Sequence, residues 1–284
     1  MSANTSDLKS FHYLENGEIN FSVFDTIKTT SKLDVGTYKV AWVSLPTGGN
    51  KLEVKIDTDI ETVKMSNFKE KKKLDDLFKS FFNKKVAKRI NELGFYHKVG
   101  VLLYGKQGTG KSTIIKNYCQ YAIDKHNAIV LYVNMTRGTV AQWDFVRKIR
   151  AIQKNPIIVV IEEMDGALQE GGTESAFKSY FDGNESIDNC IIFGTTNYID
   201  KIPTALKDRP SRFKYCLEIN GVEDESDVYN IMMNMIGDIF EPTEVVDYAR
   251  ELVNSTLDEI KQFCIDKIMD IDSYKVTKKI GFTV

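Results

Sequence analysis

The most constraining feature of this sequence is the stretch 105–112, which reads G-K-Q-G-T-G-K-S and fits the phosphate-binding pattern G-x-x-x-x-G-K-[ST]. It follows an apolar run at residues 99–104 that predicts a buried strand, and Thr113 then begins a helical pattern. Such a turn aims backbone N–H groups and the positive end of the helix dipole at one concavity. The sequence therefore predicts a nucleotide-binding site at this turn.

The same pattern assigns roles to individual side chains of the turn. We expect Lys111 to reach the β- and γ-phosphates of a nucleoside triphosphate, and the Ser112 hydroxyl to be a ligand of Mg²⁺. The predicted nucleotide-binding residues are Gly105, Lys106, Gln107, Gly108, Thr109, Gly110, Lys111, Ser112 and Thr113.

Three further apolar runs, at residues 128–133, 157–161 and 190–194, alternate with helical patterns. Apolar strands that alternate with helices predict an α/β fold, in which a parallel sheet is covered on both faces. Ligands bind to such sheets at the carboxyl ends of the strands. The functional side chains are therefore expected at that edge.

The rest of the chain divides by composition into three expected parts. Residues 1–68 alternate apolar and polar positions and predict a small β-rich N-terminal domain, with a hairpin between Val40 and Ile56. Residues 69–219 contain the α/β pattern, and residues 220–284 predict helices. Residues 94–98 lie just before the first α/β strand, where we expect room for an adenine ring.

Polar side chains follow two of the predicted strands. Glu162 and Glu163 end the strand at 157–161, and Asn197 follows the strand at 190–194. Carboxylates at the tip of an apolar strand indicate a nearby cation, because burying them unpaired is costly. We expect Glu162 to orient Mg²⁺ and Glu163 to polarise the attacking water. Arg209 and Arg212 follow, three residues apart.

This ordered set of motifs resembles the AAA+ ATPases, and within them the AAA group that has a second region of homology. The resemblance covers residues 70–265 and implies an α/β parallel-sheet P-loop AAA+ core, a C-terminal helical lid and the small β-rich N-terminal domain. By this resemblance Lys111 and Ser112 belong to Walker A, and Glu162 and Glu163 to Walker B. Asn197 is then sensor 1, and Arg209 and Arg212 are arginine fingers that act in a neighbouring subunit.

Within the group, residues 94–105 and 161–165 resemble the mitochondrial AAA translocase of the respiratory chain and its bacteriophage-encoded relatives. Residues 254–260 resemble a segment of the AAA lid. The chain departs from the usual pattern at Glu162, where an Asp is common, and by one extra residue between Leu206 and Arg209. No aromatic-aliphatic-glycine pore loop occurs at residues 135–140, and Trp143 is the large aromatic residue close by. Threading of a polypeptide is therefore not supported.

The resemblance implies ATP and Mg²⁺ as cofactors, and a homo-oligomeric ring, expected to be a hexamer, that remodels or moves an unknown protein partner. A clamp-loader or helicase-loader type of AAA+ ATPase stays an alternative. A net charge of −2 disfavours nucleic acid without excluding it. A nucleotide-gated assembly protein without important turnover is a third interpretation.

The cellular location is predicted from what the sequence lacks. The four cysteines form no C-x-x-C pair, the N-terminus shows no signal pattern, and no apolar run is long enough to span a membrane. We therefore expect a cytoplasmic protein without the membrane anchor of the translocase, from a bacterium or a phage-infected host.

Overall fold

The computed structural model describes residues 10–13, 19–22, 32–44, 48–57, 68–134, 138–169, 173–182 and 186–279. The chain divides into two compact units, Met1–Leu33 and Asp34–Val284. In the first unit, strands β1 (Ser10–Tyr13) and β2 (Ile19–Ser22) pair antiparallel.

A seven-stranded sheet is the centre of the second unit, with the strand order β4-β3-β6-β7-β8-β5-β9. Its strands are β3 (Gly36–Ser44), β4 (Asn50–Ile56), β5 (Lys98–Tyr104), β6 (Ile129–Val133), β7 (Ile157–Ile161), β8 (Cys190–Thr196) and β9 (Phe213–Glu218). All neighbouring strands are parallel except β3 and β4. The predicted parallel α/β sheet is thus confirmed.

The central strands are apolar on both faces, which explains why they form the middle of the sheet. Every residue of β7 and of β8 is buried. A strand whose side chains are buried on both faces needs helices on both sides, and parallel strands obtain these from their crossover connections. The apolar runs in the sequence therefore decide which strands are central.

The hairpin β3–β4 does not belong to a separate N-terminal domain. It is formed as predicted, with Val40 opposite Val54, but β3 also pairs in parallel with β6, from Gly36 opposite Ile129 to Val40 opposite Val133. Residues 36–56 therefore extend the main sheet, in contrast to the expected domain boundary at residue 68. The local alternation of residues cannot reveal this, because it predicts a strand without naming its neighbour.

The helices cover the sheet and form the C-terminal part. The helical stretch before the phosphate-binding turn is interrupted, because Asn83 accepts a hydrogen bond from the Lys85 amide and starts a new helix. Gly94 follows that helix with a φ of +79°, as expected of a C-cap glycine. The helices are α1 (Lys71–Phe81), α2 (Lys84–Glu92), α3 (Lys111–His126), α4 (Thr139–Ile152), α5 (Met164–Gln169), α6 (Thr173–Asp182), α7 (Thr204–Lys207), α8 (Glu225–Ile236), α9 (Pro242–Glu251) and α10 (Leu257–Lys279).

One hydrophobic cluster joins the sheet to the C-terminal helices. Alternate residues of the central strands, such as Val101 and Ile158, are buried in it together with Phe78 of α1, Ile114 of α3 and Ile260 of α10. The expected helical lid of residues 220–284 thus comprises α8, α9 and α10, and it shares its core with the sheet.

Two further observations concern predictions made from single segments. Within the described residues, the helices all fall short of the combined length and apolarity that crossing a membrane demands. Trp143 is 1% exposed and its ring stacks on that of Tyr180 with centroids 4.6 Å apart, so this aromatic side chain is part of the core. Residues 135–137 of the predicted pore-loop position lie outside the described part of the chain.

Candidate functional site

The phosphate-binding turn lies between β5 and α3, where the sequence predicts it. β5 ends at Tyr104 and α3 begins at Lys111. Gly108 and Gly110 have φ angles of +78° and +95°, a left-handed conformation that glycine adopts without steric cost. The Thr109 hydroxyl donates to the carbonyl of Lys106 at 2.9 Å and closes the turn. The sequence folds this way because only glycines allow the backbone to curl at these two positions.

Lys111 is held inside the turn and is only 8% exposed. Its ammonium donates to the carbonyl oxygens of Gly105 at 2.9 Å and of Lys106 at 2.7 Å. Burial lowers the pKa of Lys111, while the carboxylates of Asp165 and Asp258 act in the opposite direction. The turn therefore presents a positively charged group whose present partners are backbone carbonyls.

Ser112 and Glu162 meet across the gap between α3 and the end of β7. The Ser112 hydroxyl donates to Glu162 Oε1 at 2.6 Å. A hydroxyl and a carboxylate that lie side by side offer hard oxygen ligands. Such ligands fit Mg²⁺ when substrate phosphate and water complete its coordination. Among the described residues, no group of three His, Cys, Asp or Glu side chains is placed to hold a metal alone. Glu162, longer than the usual Asp, still reaches the serine.

The next residues are fixed by the neighbouring strand. Glu163 has a φ of +50°, and its amide donates to Thr195 Oγ1 at 3.1 Å. The Thr196 hydroxyl donates to Asp165 Oδ1 at 2.7 Å. Two adjacent threonines at the end of β8 therefore hold the backbone of Glu163 and the side chain of Asp165. Glu163 is thus held at a positive φ, which most residues avoid.

A cavity of about 720 Å³ brings these groups together at the carboxyl edge of the sheet. Six of the nine predicted nucleotide-binding residues line it, together with all the predicted strand-end residues. These are Gln107, Gly108, Gly110, Lys111, Ser112, Thr113, Glu162, Glu163 and Asn197. Gly105, Lys106 and Thr109 are the three predicted residues that do not line it. Residues from three separate segments of the sequence thus form one site.

Several lining residues were not predicted from the sequence. Lys39, Val40 and Ala41 come from β3, Asn134 follows β6, and Asp258 comes from the first turn of α10. None of them belongs to a local motif with a chemical meaning. Only the signal at residues 254–260, which resembles the AAA lid, points to the neighbourhood of Asp258.

Residues 94–98 are not part of this cavity, contrary to the expectation that an adenine ring rests there. They lie at the start of β5, whereas the phosphate-binding turn follows its end, and seven strand residues span about 20 Å. The His97 ring stacks on Phe81 at 4.2 Å and is buried. A smaller cavity of about 310 Å³ is lined by Phe68 and by residues 218–224. This cavity lies beside the phosphate-binding turn, since the carbonyl oxygen of Ile219 is 2.1 Å from the position that a Cβ on Gly105 would occupy.

The two arginines differ from each other and do not line the cavity. Arg212 is 5% exposed; its Nε donates to Asp182 Oδ2 at 2.6 Å, and a second nitrogen donates to the Ala205 carbonyl at 2.5 Å. The Arg209 side chain is 60% exposed and lies 3.2 Å from the same Asp182 oxygen. Asp182 therefore binds both guanidinium groups, one inside the protein and one at its surface.

Comparison with known proteins agrees with this geometry. Residues 101–220 match the model of the family described as "ATPase family associated with various cellular activities (AAA)". This range includes the phosphate-binding turn, the acidic strand end, Asn197 and both arginines. The match begins inside β5 and ends just after β9.

Individual relatives are distant and match only part of their own length. The vesicular-fusion protein SEC18 of Candida albicans is 26% identical over 170 residues, 51% of this chain and 21% of that protein. A Bifidobacterium adolescentis protein named "AAA ATPase forming ring-shaped complexes" is 31% identical over 144 residues, 43% of this chain and 28% of that protein. The vesicle-fusing ATPase of Dictyostelium discoideum is 25% identical over 175 residues, 52% of this chain and 24% of that protein.

The chain thus spans about a quarter of the length of these relatives. Two of these relatives are named as ATPases, and the matched family is described as an ATPase family. The fold is an α/β P-loop fold of the AAA type, and residues 101–220 form an AAA ATPase family domain that is distantly homologous to the AAA ATPases of yeasts and bacteria.

Proposed function

We propose that this protein is the subunit of a homo-oligomeric ring, a hexamer, that hydrolyses ATP with Mg²⁺ at the interfaces between subunits. The observation that carries the proposal is the single cavity in which Lys111, Ser112, Glu162 and Glu163 converge. A relative named for ring-shaped complexes supports the assembly. The ring uses this turnover to remodel or move a protein partner.

Each side chain has a role that follows from its position. The amides of the phosphate-binding turn and the Lys111 ammonium bind the phosphates. Ser112 and Glu162 hold Mg²⁺, which neutralises part of the phosphate charge. Glu163 accepts the proton of the attacking water, and Asn197, at the end of the next strand, orients that water.

Of the two arginines, Arg209 acts on a neighbouring subunit, whereas Arg212 pairs with Asp182 inside its own chain. Support for this comes from Arg209, which is largely exposed and lies outside the cavity of its own chain. A guanidinium that stabilises charge on the transferred phosphoryl group raises turnover by about 10³ to 10⁵. The isolated subunit is therefore nearly inactive, and specific activity rises with protein concentration as rings assemble.

The protein partner and the location rest on resemblance. Residues 94–105 and 161–165 resemble a translocase that acts on proteins, and its phage-encoded relatives. The chain thus acts on a protein in the cytoplasm of a bacterium or a phage-infected cell.

The experiment that tests this function is a mixing assay. Arg209→Ala subunits retain their own site but provide no arginine to their neighbour, and Glu163→Gln subunits have the opposite defect. Each preparation alone is expected to be inactive, and mixtures should regain part of the ATPase activity in proportion to the mixed interfaces. Light scattering verifies that both variants assemble and exchange subunits.

One further variant tests nucleotide binding apart from turnover, and a second variant is its control. Lys111→Ala should abolish the rise of Tm that ATP and Mg²⁺ cause in the wild type, whereas Lys125→Ala, exposed at the end of the same helix, should leave it unchanged.

Mixed rings without activity at any ratio would contradict action in trans. Assembled wild-type rings that bind ATP without turnover would instead identify a nucleotide-gated assembly protein.

A further inference from the structure

The lid brings a carboxylate into contact with the phosphate-binding turn. The amide of Asp258, in the first turn of α10, donates to the carbonyl of Gly108 at 3.1 Å. Its Oδ2, Cβ and Cγ atoms lie 3.0, 3.1 and 3.3 Å from the position that a Cβ on Gly108 would occupy. Asp258 lines the same cavity as Lys111 and Ser112. A negative charge of the lid therefore lies beside the predicted phosphate site.

This carboxylate is not needed to start the helix. The N-terminus of α10 is capped by its neighbours, since the Thr256 amide donates to Glu259 Oε2 at 2.6 Å and the Glu259 amide donates to Thr256 Oγ1 at 3.2 Å. Within the described part of the chain, no hydrogen bond to the Asp258 carboxylate is found. Its backbone is fixed against the turn while its charge faces the cavity.

The position of Asp258 affects phosphate binding, because the cavity contains charges of both signs. Lys111 faces Asp258 and Asp165, and their negative charges oppose the effect of burial on the pKa of its ammonium. Phosphates that bind at the turn compete with Asp258 for Lys111 and are repelled by Asp258 itself. Both effects grow with the negative charge that the nucleotide brings.

We infer that Asp258 is a specificity-determining residue, which weakens nucleotide binding in proportion to the net negative charge of the phosphates. The inference rests on the proposed nucleotide site. Asp258 narrows the difference in affinity between ATP and ADP and favours the Mg²⁺-bound form of ATP over the metal-free form. Through the bond to Gly108, the same repulsion makes the start of the lid sensitive to the charge of the bound nucleotide.

The test is a series of binding titrations on the full chain with Asp258→Asn. Magnesium-bound ADP, magnesium-bound ATP and metal-free ATP carry increasing negative charge, and fluorescent analogues, non-hydrolysable in the case of ATP, report their affinity without turnover. Because Asp258 is partly screened by solvent, we expect the variant to bind magnesium-bound ATP about 3- to 10-fold more tightly. The gain should be smaller for ADP, larger for metal-free ATP, and reduced at high salt.

The matched control is Asp266→Asn, the same change of charge two turns further along the same helix, where the carboxylate accepts a hydrogen bond from Gln262. It should leave all three affinities within about twofold, because eight helical residues place it about 12 Å further along the axis.

Three results would overturn the inference. One is an equal gain for all three nucleotides, and another is a gain as large in Asp266→Asn. The third is weaker binding by Asp258→Asn with lost preference for ATP over 2′-deoxy-ATP, which would assign the carboxylate to a ribose hydroxyl. Lys111→Ala in the same titrations separates the two proposals, because retained binding there would refute the nucleotide site itself.

Discussion

Replacing Arg212 by Ala is expected to destabilise the fold, although the sequence pattern presents Arg212 and Arg209 as equivalent. The Arg212 side chain is 6% exposed and that of its partner Asp182 is 19% exposed. The alanine removes an ion pair at 2.6 Å and the hydrogen bond to the Ala205 carbonyl. Asp182 then keeps the pairing with the exposed Arg209 and the hydrogen bond from Ser211.

The magnitude follows from burial. Breaking a buried ion pair from one side costs about 3–5 kcal/mol, because the remaining charge is left uncompensated. The lower end applies here, since Asp182 retains some contact with solvent and with Arg209. For a chain of this size, about 3 kcal/mol corresponds to a fall in Tm of about 6–9 °C. Arg209→Ala removes a surface pair and should cost less than about 1 kcal/mol.

The assay is thermal unfolding of both variants, without nucleotide and at one protein concentration, followed by ATPase turnover of the assembled protein. Arg209→Ala is the matched control, since it removes the same kind of side chain from the same turn. Both side chains pair with the same acidic partner, Asp182. Arg212→Lys is included in case the alanine variant does not fold. It keeps the charge but loses the two-directional hydrogen bonding, so we expect an intermediate Tm.

The reasoning would be refuted if Arg212→Ala and Arg212→Lys melted within about 2 °C of the wild type. Loss of turnover in such stable variants would show that the Arg212 guanidinium leaves Asp182 and acts on a neighbouring subunit. A large fall in Tm for Arg209→Ala would equally contradict the assignment of that residue to the surface.

Three more predictions concern the site and its support. Glu163→Gln should lose at least about 100-fold in turnover while it still binds ATP. Glu162→Gln should instead weaken the Mg²⁺-dependent affinity for ATP. If titrations with and without Mg²⁺ gave the reverse, the two residues would exchange these roles. Gly108→Ala should weaken ATP binding about tenfold, because a φ of +78° strains alanine and its Cβ meets Asp258; unchanged affinity would contradict the described conformation of the turn. Burial raises the pKa of Asp182, but hydrogen bonds from Ser211 and Arg212 outweigh it and hold that pKa below its usual range. The stability it contributes is therefore complete above about pH 5 and lost as pH falls through its folded pKa, so Tm measured against pH should differ between wild type and Asp182→Asn only above that range.

The parts of this protein that the sequence determines are those encoded by neighbouring residues. The glycines of the phosphate-binding turn and the buried strands on either side of the acidic pair are local signals. Backbone conformation and burial follow from them directly, and the structure confirms them. The convergence of Lys111 with Glu162 and Glu163 was also predictable, because the carboxyl ends of parallel strands share one edge of the sheet.

Other features depend on which distant segments pack together. The sequence predicts the hairpin at residues 36–56 but not its pairing with β6, because the edge that a strand chooses depends on which neighbours are exposed. It also places residues 94–98 near the nucleotide, whereas the length of β5 separates them from the turn.

Only the tertiary structure distinguishes Arg209 from Arg212 and places Asp258 on the phosphate-binding turn. Both outcomes follow from the docking of a helix against a loop, at the end of α6 and at the start of α10. Burial converts one of two similar arginines into a structural ion pair, since a guanidinium removed from water needs an acceptor at each side. Close packing of the lid likewise places the charge of Asp258, an ordinary surface acid, beside the proposed nucleotide site.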